Sequence, residues 1–410
     1  MSGGPGLYVF GEDEKKELLD VIEGGYLFRY GSEENASFKH KVASFEREMA
    51  NMLGLKHVVA TSSGTGALMC CLTALDISAG DEVIVPGYTF IASISAIILR
   101  NAVPVLAEID DSLTIDPTKI EELITPKTKA IMPVHMLGNP CNIDAIMDIA
   151  RKHKLYVIED CCQAAGASYK GRRVGSFGDM AAFSLNTFKT ITAGDGGAVG
   201  TNDDYLYERA FGFHDQGHKP SRMGVEVGNR SIIGMNMRMN ELTGAVALAQ
   251  VRKIDNILGT LRAKKAKLKA KLEGLPHFKL AKNNEHSDEC ATLLTMIFDT
   301  PELANTFAKR IDSLPISESG WHVYNNMEQV LGKNTGTTAN CPFGCPRFST
   351  ARQYTKNMLP QTDDILSRAI NISIGVVDRG IGAACGININ SDEDEIERMG
   401  SYLRERILAL

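Results

Sequence analysis

The first 160 residues alternate between helical stretches and short β-rich runs, and this alternation constrains the fold more than any other feature of the chain. The β-rich runs are residues 58–60, 82–85, 103–106, 130–134 and 156–158. Parallel strands need a long connection between them, which is usually a helix. The pattern therefore predicts an α/β fold with a largely parallel sheet covered by helices, whose ligands bind at the carboxyl ends of the strands.

The character of the chain changes after its middle. Its 410 residues exceed what one hydrophobic core usually serves, so two domains are expected. We predict a large domain over residues 1–255 and a smaller C-terminal α+β domain over residues 256–410. The further predicted elements are helices at 12–24, 38–53, 240–275, 303–314 and 392–410 and a strand at 291–298.

Charge and hydropathy argue against some classes of protein. The net charge of −6 is modest and argues against nucleic acid as a partner, so the basic stretch 262–271 is interpreted as a solvated helix face. No apolar run is long enough to span a bilayer, and the N-terminus lacks the pattern of a signal peptide, so we expect a cytoplasmic protein without a membrane partner. The nine cysteines are expected to be reduced. No further ligands accompany Cys341 and Cys345, so no metal is predicted.

A set of polar residues follows the last of these β-rich runs. Asp160 ends an apolar run, and Gln163 comes three residues later. Ser184 and Lys189 then precede a glycine turn at residues 194–197. A carboxylate at a strand end, a polar side chain, a serine and a single lysine before glycines are what an enzyme that binds pyridoxal 5'-phosphate needs. The lysine amine binds the aldehyde of that cofactor, and the carboxylate keeps the pyridine nitrogen protonated.

Three other features fit this chemistry, although each also has a structural interpretation. The stretch Thr61–Leu68 is a Gly/Ser/Thr turn that opens a helix, which suits a phosphate but is also a common helix cap. Phe90 follows a strand end, where it can stack on a flat cofactor or belong to the core. His135 ends another strand and is interpreted as a core histidine. The glycine pattern of dinucleotide-binding folds and the lysine pattern of nucleotide triphosphatases are both absent.

Five motifs together resemble a known family. They are Ser62–Thr65, Gly80–Pro86, Ile158–Ala164, Ser184–Gly197 and Gly234–Glu241. Their order and spacing are similar to those of the DegT/DnrJ/EryC1/StrS family of sugar aminotransferases over residues 30–260. The resemblance implies pyridoxal-phosphate-dependent transferase fold type I, the aspartate-aminotransferase architecture. It also implies a homodimer whose active sites lie at the subunit interface.

The resemblance assigns roles to individual residues by motif. Lys189 is implied to bind the cofactor aldehyde, Asp160 to face the pyridine nitrogen and Gln163 to face the phenolic oxygen. Phe90 is implied to stack on the ring. The residues implied to hold the phosphate are Thr65, Gly66 and Ser184 of one subunit and Asn236, with Arg238 behind it, of the other.

The reaction type follows from the same motif. Family members with His in place of the lysine resemble sugar dehydratases, so Lys189 favours transamination. A cofactor-free binding protein of this fold would be expected to lack Lys189 or Asp160. The resemblance implies glutamate or glutamine as amino donor and a keto sugar or keto sugar acid as acceptor, with a nucleotide-linked 3- or 4-keto-6-deoxy sugar as the alternative.

Residues 26–30, 213–218 and 232–236 are similar to one subgroup of the family, the aminotransferases that make 8-amino-3,8-dideoxy-octulosonate. This similarity makes 8-keto-3-deoxy-octulosonate a candidate acceptor. Its carboxylate would call for Arg or protonated His donors, although such residues also serve structural roles. The candidate substrate residues are Arg29, His214, His218 and His322.

Overall fold

A seven-stranded mixed sheet forms the centre of the protein in a computed structural model, which describes residues 2–220, 227–345, 350 and 352–410. Two smaller sheets of three strands each accompany it. In chain order the strands are β1 His57–Thr61, β2 Glu82–Pro86, β3 Val103–Ala107, β4 Thr128–Ile131, β5 Tyr156–Asp160, β6 Ser168–Tyr169, β7 Arg172–Arg173, β8 Met180–Ser184, β9 Gly197–Thr201, β10 Phe278–Leu280, β11 Ser287–Asp288, β12 Leu293–Phe298 and β13 Ala369–Ser373.

The large sheet has the strand order β1-β9-β8-β5-β4-β2-β3, and β9 is its single antiparallel strand. The parallel register of β5 and β8 sets Ile158 opposite Met180 and Asp160 opposite Ala182. The carboxyl ends of these two strands therefore lie side by side. The predicted α/β class with a largely parallel sheet is confirmed.

Helices cover both faces of this sheet. In chain order they are α1 Pro5–Tyr8, α2 Glu12–Gly24, α3 Lys41–Leu53, α4 Gly64–Ala74, α5 Ile91–Leu99, α6 Ile143–His153, α7 Asp204–His214, α8 Glu241–Leu272, α9 Pro301–Arg310, α10 Glu328–Leu331, α11 Pro360–Arg368 and α12 Glu393–Leu408. The predicted helix 12–24 coincides with α2. Helix α3 begins at Lys41 instead of residue 38 because His40 has a left-handed backbone, with φ of 53°.

Helix α8 connects the large sheet to the C-terminal part of the chain. It has 32 residues and runs through residue 255, where the domain boundary was predicted, and the two-domain division stays a prediction. Its basic stretch meets acidic residues of α12, since Lys267 pairs with Glu393 and Lys271 lies 2.5 Å from Glu397. Part of the face interpreted as solvated is thus paired within the chain. Across the described part of the chain, no helix has both the length and the apolar character that a membrane crossing requires.

The C-terminal part packs a small antiparallel sheet against helices. Its strand order is β10-β12-β13, and β12 is buried along its whole length. Phe298 of β12 packs against Phe278 and Phe307, at ring-centroid distances of 5.8 and 4.9 Å. The loop after β13 pairs with the N-terminal segment, where Val377 and Gly3 exchange backbone hydrogen bonds, and its Asp378 lines a cavity together with Asp160 and Ser184. The C-terminal part therefore reaches the carboxyl end of the large sheet.

Candidate active site

A cavity of about 470 Å³ lies at the carboxyl ends of β5 and β8. It is the position that the parallel sheet predicts for a ligand. Its lining combines residues of the large sheet with residues after position 320. The predicted site residues that line it are Thr65, Phe90, Asp160, Gln163, Ser184, Lys189 and His322.

Asp160 is the last residue of β5 and is 3% exposed. Its Oδ1 accepts a hydrogen bond of 3.0 Å from the backbone N–H of Cys162, and its Oδ2 accepts one of 2.7 Å from the hydroxyl of Ser93. Thr89 lies 2.7 Å from Ser93 and completes a chain of hydroxyl groups. A carboxylate offers about four lone-pair positions. Asp160 is thus oriented by the protein and keeps capacity to accept a proton donor from the cavity.

Lys189 lies in the loop between β8 and β9. This loop is closed by backbone hydrogen bonds of 2.9 Å from Leu185 to Gly196 and from Lys189 to Asn186. Burial lowers the pKa of the Lys189 amine below its ordinary value, while the negative charges of Asp160 and Asp378 oppose part of this effect. A larger fraction of neutral, nucleophilic amine is therefore present at a given pH than for an exposed lysine.

The N-terminus of α4 points its free N–H groups at the same cavity. The Ser63 hydroxyl caps the helix by accepting the N–H of Gly66 at 3.0 Å, so the N–H groups of Gly64 and Thr65 lack partners within the helix. A Cβ atom on Gly64 would lie 2.7 Å from the Cβ of Ser184, which explains the glycine there. This close approach brings the helix end and a serine hydroxyl together. Gly66 itself is outside the cavity lining among the described residues.

Three aromatic rings form one wall of the cavity. The Phe90 ring lies 5.4 Å from the ring of His322 and 6.2 Å from that of Trp321. Burial, and then the charge of Lys189, lower the pKa of His322 to about 3. His322 is thus neutral near pH 7 and acts there as a hydrogen-bonding group rather than as a cation.

Gln163 is held in a fixed orientation. Its Oε1 accepts a hydrogen bond of 3.0 Å from the backbone N–H of Leu137. This contact identifies Oε1 as the acceptor, so the amide NH₂ is the end of the side chain that can donate to a ligand.

Arg29 and His214 form a buried pair away from the cavity. Arg29 donates to Glu46 at 2.7 Å, to the carbonyl oxygen of Ala60 at 3.2 Å and to Nε2 of His214 at 3.1 Å. The Nδ1–H of His214 donates to the carbonyl oxygen of Phe211 at 2.6 Å. Burial lowers the pKa of His214 to about 3, and the Arg29 charge adds to the effect. Neither residue lines the cavity of the described chain.

His218 and Asn236 also lie outside the described lining of the cavity. Nδ1 of His218 bonds the carbonyl oxygen of Asp215 at 2.8 Å. Asn236 is exposed, and its Oδ1 accepts a 3.3 Å hydrogen bond from the backbone N–H of Arg238. The guanidinium of Arg238 in turn bonds Asp215. Within one subunit, therefore, Asn236 is on the surface.

The lining residues that the sequence analysis did not identify include Ser93, Trp321 and Asp378. Ser93 lies inside an apolar helix and gave no signal. Asp378 belongs to a turn that joins the site only through the packing of the C-terminal part. The single tryptophan next to His322 was a usable signal, because a lone large aromatic beside a candidate site residue is a candidate itself.

His135, Glu159 and Cys161 bring three potential metal ligands within 4.8 Å of one another. Hydrogen bonds already occupy the potential ligand atoms of His135 and Glu159. The Glu159 carboxylate accepts a hydrogen bond of 3.1 Å from Nε2 of His135 and further hydrogen bonds from three backbone N–H groups. Nδ1 of His135 accepts a hydrogen bond of 3.0 Å from the N–H of Cys141. The group is best explained as a structural network that anchors the residues beside Asp160.

The cavity fits pyridoxal phosphate in its donor set. The free N–H groups of α4 and the Ser184 hydroxyl suit a phosphate, because a helix N-terminus attracts anions. Asp160 suits a protonated pyridine nitrogen, and the Lys189 amine suits the aldehyde. Phe90 offers a ring face. These features all line one cavity.

Comparison with solved structures gives the class of protein. The aminotransferase from Psychrobacter cryohalolentis matches with a TM-score of 0.80 and 27% identity, and the match covers 98% of each chain. The fold is that of the type I pyridoxal-phosphate-dependent transferases. The model of the DegT/DnrJ/EryC1/StrS aminotransferase family matches residues 10–377, and the chain belongs to this family.

Two relatives extend the comparison. The chain is 44% identical over 218 residues to the GDP-perosamine synthase of Caulobacter vibrioides, covering 53% of this chain and 58% of that protein. It is 45% identical over 239 residues to the dTDP-3-amino-3,6-dideoxy-alpha-D-galactopyranose transaminase of Aneurinibacillus thermoaerophilus, covering 58% and 61%. The matches thus span less than two thirds of these two relatives.

Proposed function

We propose that this protein is a pyridoxal-phosphate-dependent aminotransferase that moves an amino group from glutamate or glutamine to a keto sugar linked to a nucleoside diphosphate. The observation that carries the proposal is the position of the Lys189 amine in one cavity with Asp160 and the N-terminus of α4. The cofactor supplies an aldehyde that holds the amino group and a ring that withdraws electrons. Family membership supports the class of reaction.

The residues of the chain would bind and orient the cofactor and move the proton during transfer. The N-terminus of α4 and Ser184 would hold the phosphate, while Asp160, oriented by Ser93, would keep a proton on the ring nitrogen. The amide NH₂ of Gln163 would donate to the phenolic oxygen. Nζ of Lys189 accepts and returns the proton that moves during transfer, which its lowered pKa favours. His322 and Phe90 exclude water from one side.

A nucleotide-linked acceptor is better supported than an octulosonate. Both relatives reported above have names that include a sugar attached to GDP or dTDP. The carboxylate of an octulosonate would call for Arg or protonated His donors, whereas Arg29 and His214 are engaged with each other and with the core. An exposed aromatic residue, Trp321, lines the cavity and can stack on a nucleobase. 8-Keto-3-deoxy-octulosonate remains the second acceptor to test, because of the similarity at residues 26–30.

The retained lysine argues against a sugar dehydratase, since Lys189 is present where the dehydratases of the family have His. It also argues against a binding protein without cofactor. The predicted two-domain division and cytoplasmic location stay proposals.

A homodimer is part of the proposal. Asn236 is exposed, and two apolar side chains that precede it in the chain are exposed as well, Ile233 at 96% and Met235 at 51%. Such a patch is costly in water and is typical of a surface that a partner covers. We propose that a second copy covers it and receives Asn236 at its own phosphate site. Size-exclusion chromatography with light scattering tests the dimer.

The function is tested by two half-reactions. Protein loaded with pyridoxal phosphate should absorb as a yellow enzyme, and borohydride should fix the cofactor on Lys189. Glutamate or glutamine should bleach it, and a nucleotide-linked keto sugar should restore the colour. Lys189→Ala should not attach the cofactor, whereas Lys170→Ala, a surface control, should behave as the unaltered protein.

Each acceptor gives a separate outcome. Restoration by 8-keto-3-deoxy-octulosonate alone would replace the nucleotide proposal with the octulosonate one. Return of the yellow colour with simple keto acids alone would overturn the proposal of a sugar acceptor. Protein that stays colourless with added cofactor would overturn the whole assignment.

A further inference from the structure

Trp321 is the single tryptophan of the chain, and it is 61% exposed although it lines the candidate cavity. Large aromatic side chains dominate cores and binding surfaces because their burial contributes so much. Its indole lies nearly parallel to the ring of Phe90, at an interplanar angle of 13°. The indole therefore extends the aromatic wall from Phe90 outwards to solvent.

Backbone hydrogen bonds fix the main chain of Trp321 beside the start of α5. The N–H of Ile91 donates to the carbonyl oxygen of Trp321 at 3.1 Å, and the N–H of Thr89 donates to that of His322 at 2.9 Å. On the other side, a Cβ atom on Gly380 would come within 3.8 Å of the indole Cδ1. A rigid platform loses little entropy when a ligand packs on it.

A cationic side chain accompanies the platform. Arg379 precedes Gly380 in the turn that begins with the lining residue Asp378, and its side chain is 70% exposed. It lies 2.6 Å from Asp312, which is 90% exposed. Exposed pairs of this kind contribute little, so the guanidinium can exchange its partner for a phosphate at small cost.

We propose that Trp321 is a specificity-determining residue that stacks on the nucleobase of the acceptor, with the diphosphate near Arg379. The proposal rests on the proposed function and extends it. The reacting carbon must reach Lys189 inside the cavity, so the opposite end of an elongated acceptor lies at the mouth. A flat base has the π-face that an exposed indole can accept.

Fluorescence of the holoenzyme tests the contact without any reaction. Because Trp321 is the only tryptophan, tryptophan emission reports on this site alone. GDP and dTDP should change the emission in a saturable way, whereas inorganic diphosphate and a free hexose should not. A nucleoside diphosphate that binds, by equilibrium dialysis, without changing the emission would overturn the proposal. An equal response to the free hexose would replace base stacking with sugar stacking and would also overturn it.

Kinetics of variants provide the second test. Stacking of one base on an aromatic side chain corresponds to about a 5- to 150-fold change in affinity. Trp321→Ala should raise the KM for the nucleotide-linked keto sugar by this factor with a much smaller change in kcat. Trp321→Phe should recover most of the loss. Leu314→Ala, an exposed apolar control outside the described lining, should leave the KM unchanged.

The two proposals fail differently. If nucleotide-linked keto sugars are aminated and Trp321→Ala keeps the KM of the unaltered protein, the stacking proposal is overturned and the proposed function stands. If no keto sugar is aminated while keto acids are, the proposed function fails. In that case the response of Trp321 emission to nucleoside diphosphates still decides whether the platform binds a base.

Discussion

The hydroxyl of Ser93 donates a 2.7 Å hydrogen bond to Oδ2 of Asp160, although the two residues are 67 positions apart in the chain. Ser93 is on α5, the helix that begins just after Phe90, and is 1% exposed. One helix thus supplies both the aromatic wall and the orientation of the carboxylate. A buried carboxylate needs such donors to stay charged and in place.

Ser93→Ala is expected to slow transamination about ten- to hundredfold, because a hydrogen bond to a charged group contributes about 1.5 to 3 kcal/mol. The measurement is the rate of each half-reaction, followed by the colour of the cofactor. Ser95→Ala is the matched control, since its hydroxyl bonds the carbonyl oxygen of Ala92 on the same helix. Equal effects of the two variants would mean that Ser93 acts only through the stability of α5.

The pH dependence of cofactor attachment reports on Lys189. Only the neutral amine attacks the aldehyde, and burial lowers the pKa of this amine. The attachment rate of the apoprotein should therefore reach half its maximum below pH 10.4, the ordinary value for lysine. Asp378→Asn removes a negative charge that raises the pKa of Lys189, so it should move the midpoint further down. A midpoint at the ordinary value, unmoved by Asp378→Asn, would contradict this electrostatic account.

Subunit mixing tests whether Asn236 acts across the dimer. Lys189→Ala and Asn236→Ala subunits, each inactive, are unfolded and refolded together. Random pairing should restore about a quarter of the sites, because half of the dimers are hybrids and each hybrid has one site with both residues intact. Lys189→Ala mixed with Asp160→Asn is the control, since these residues lie in the same site and no intact site can form. Confirmed hybrids without activity would show that Asn236 does not act in trans.

His214 is expected to make the protein less stable in mild acid. Its pKa of about 3 lies below the ordinary value, so the folded protein binds fewer protons here than the unfolded chain. The stability that the neutral His214 contributes is fully present above about pH 6.5 and is lost as the pH falls towards 3. At pH 5 the loss amounts to about 2 kcal/mol. Denaturant midpoints at pH 7 and pH 5 measure it. His214→Gln should show a smaller difference between the two pH values, whereas an equal difference would exclude His214 as the cause.

Local patterns in the chain were enough to predict the sheet and the centre of the site. Strands such as β5 alternate with helices at short range, and a parallel sheet is nearly the only way to bury such strands on both faces. The residues proposed for the chemistry of the site, Asp160 and Lys189, lie within 30 residues of chain, next to the ends of two neighbouring strands. Sequence alone therefore determined the fold class, the family and the edge of the sheet where the candidate cavity lies.

Packing between distant segments decided the rest. Arg29 has the charge of a substrate ligand, but α3 supplies Glu46 as its partner, and nothing in the local sequence encodes that meeting. Trp321 and Asp378 reach the cavity only because the C-terminal part folds back on the large sheet. A side chain's chemistry is written in the sequence, whereas its partners and its exposure depend on contacts that form only when the whole chain is packed.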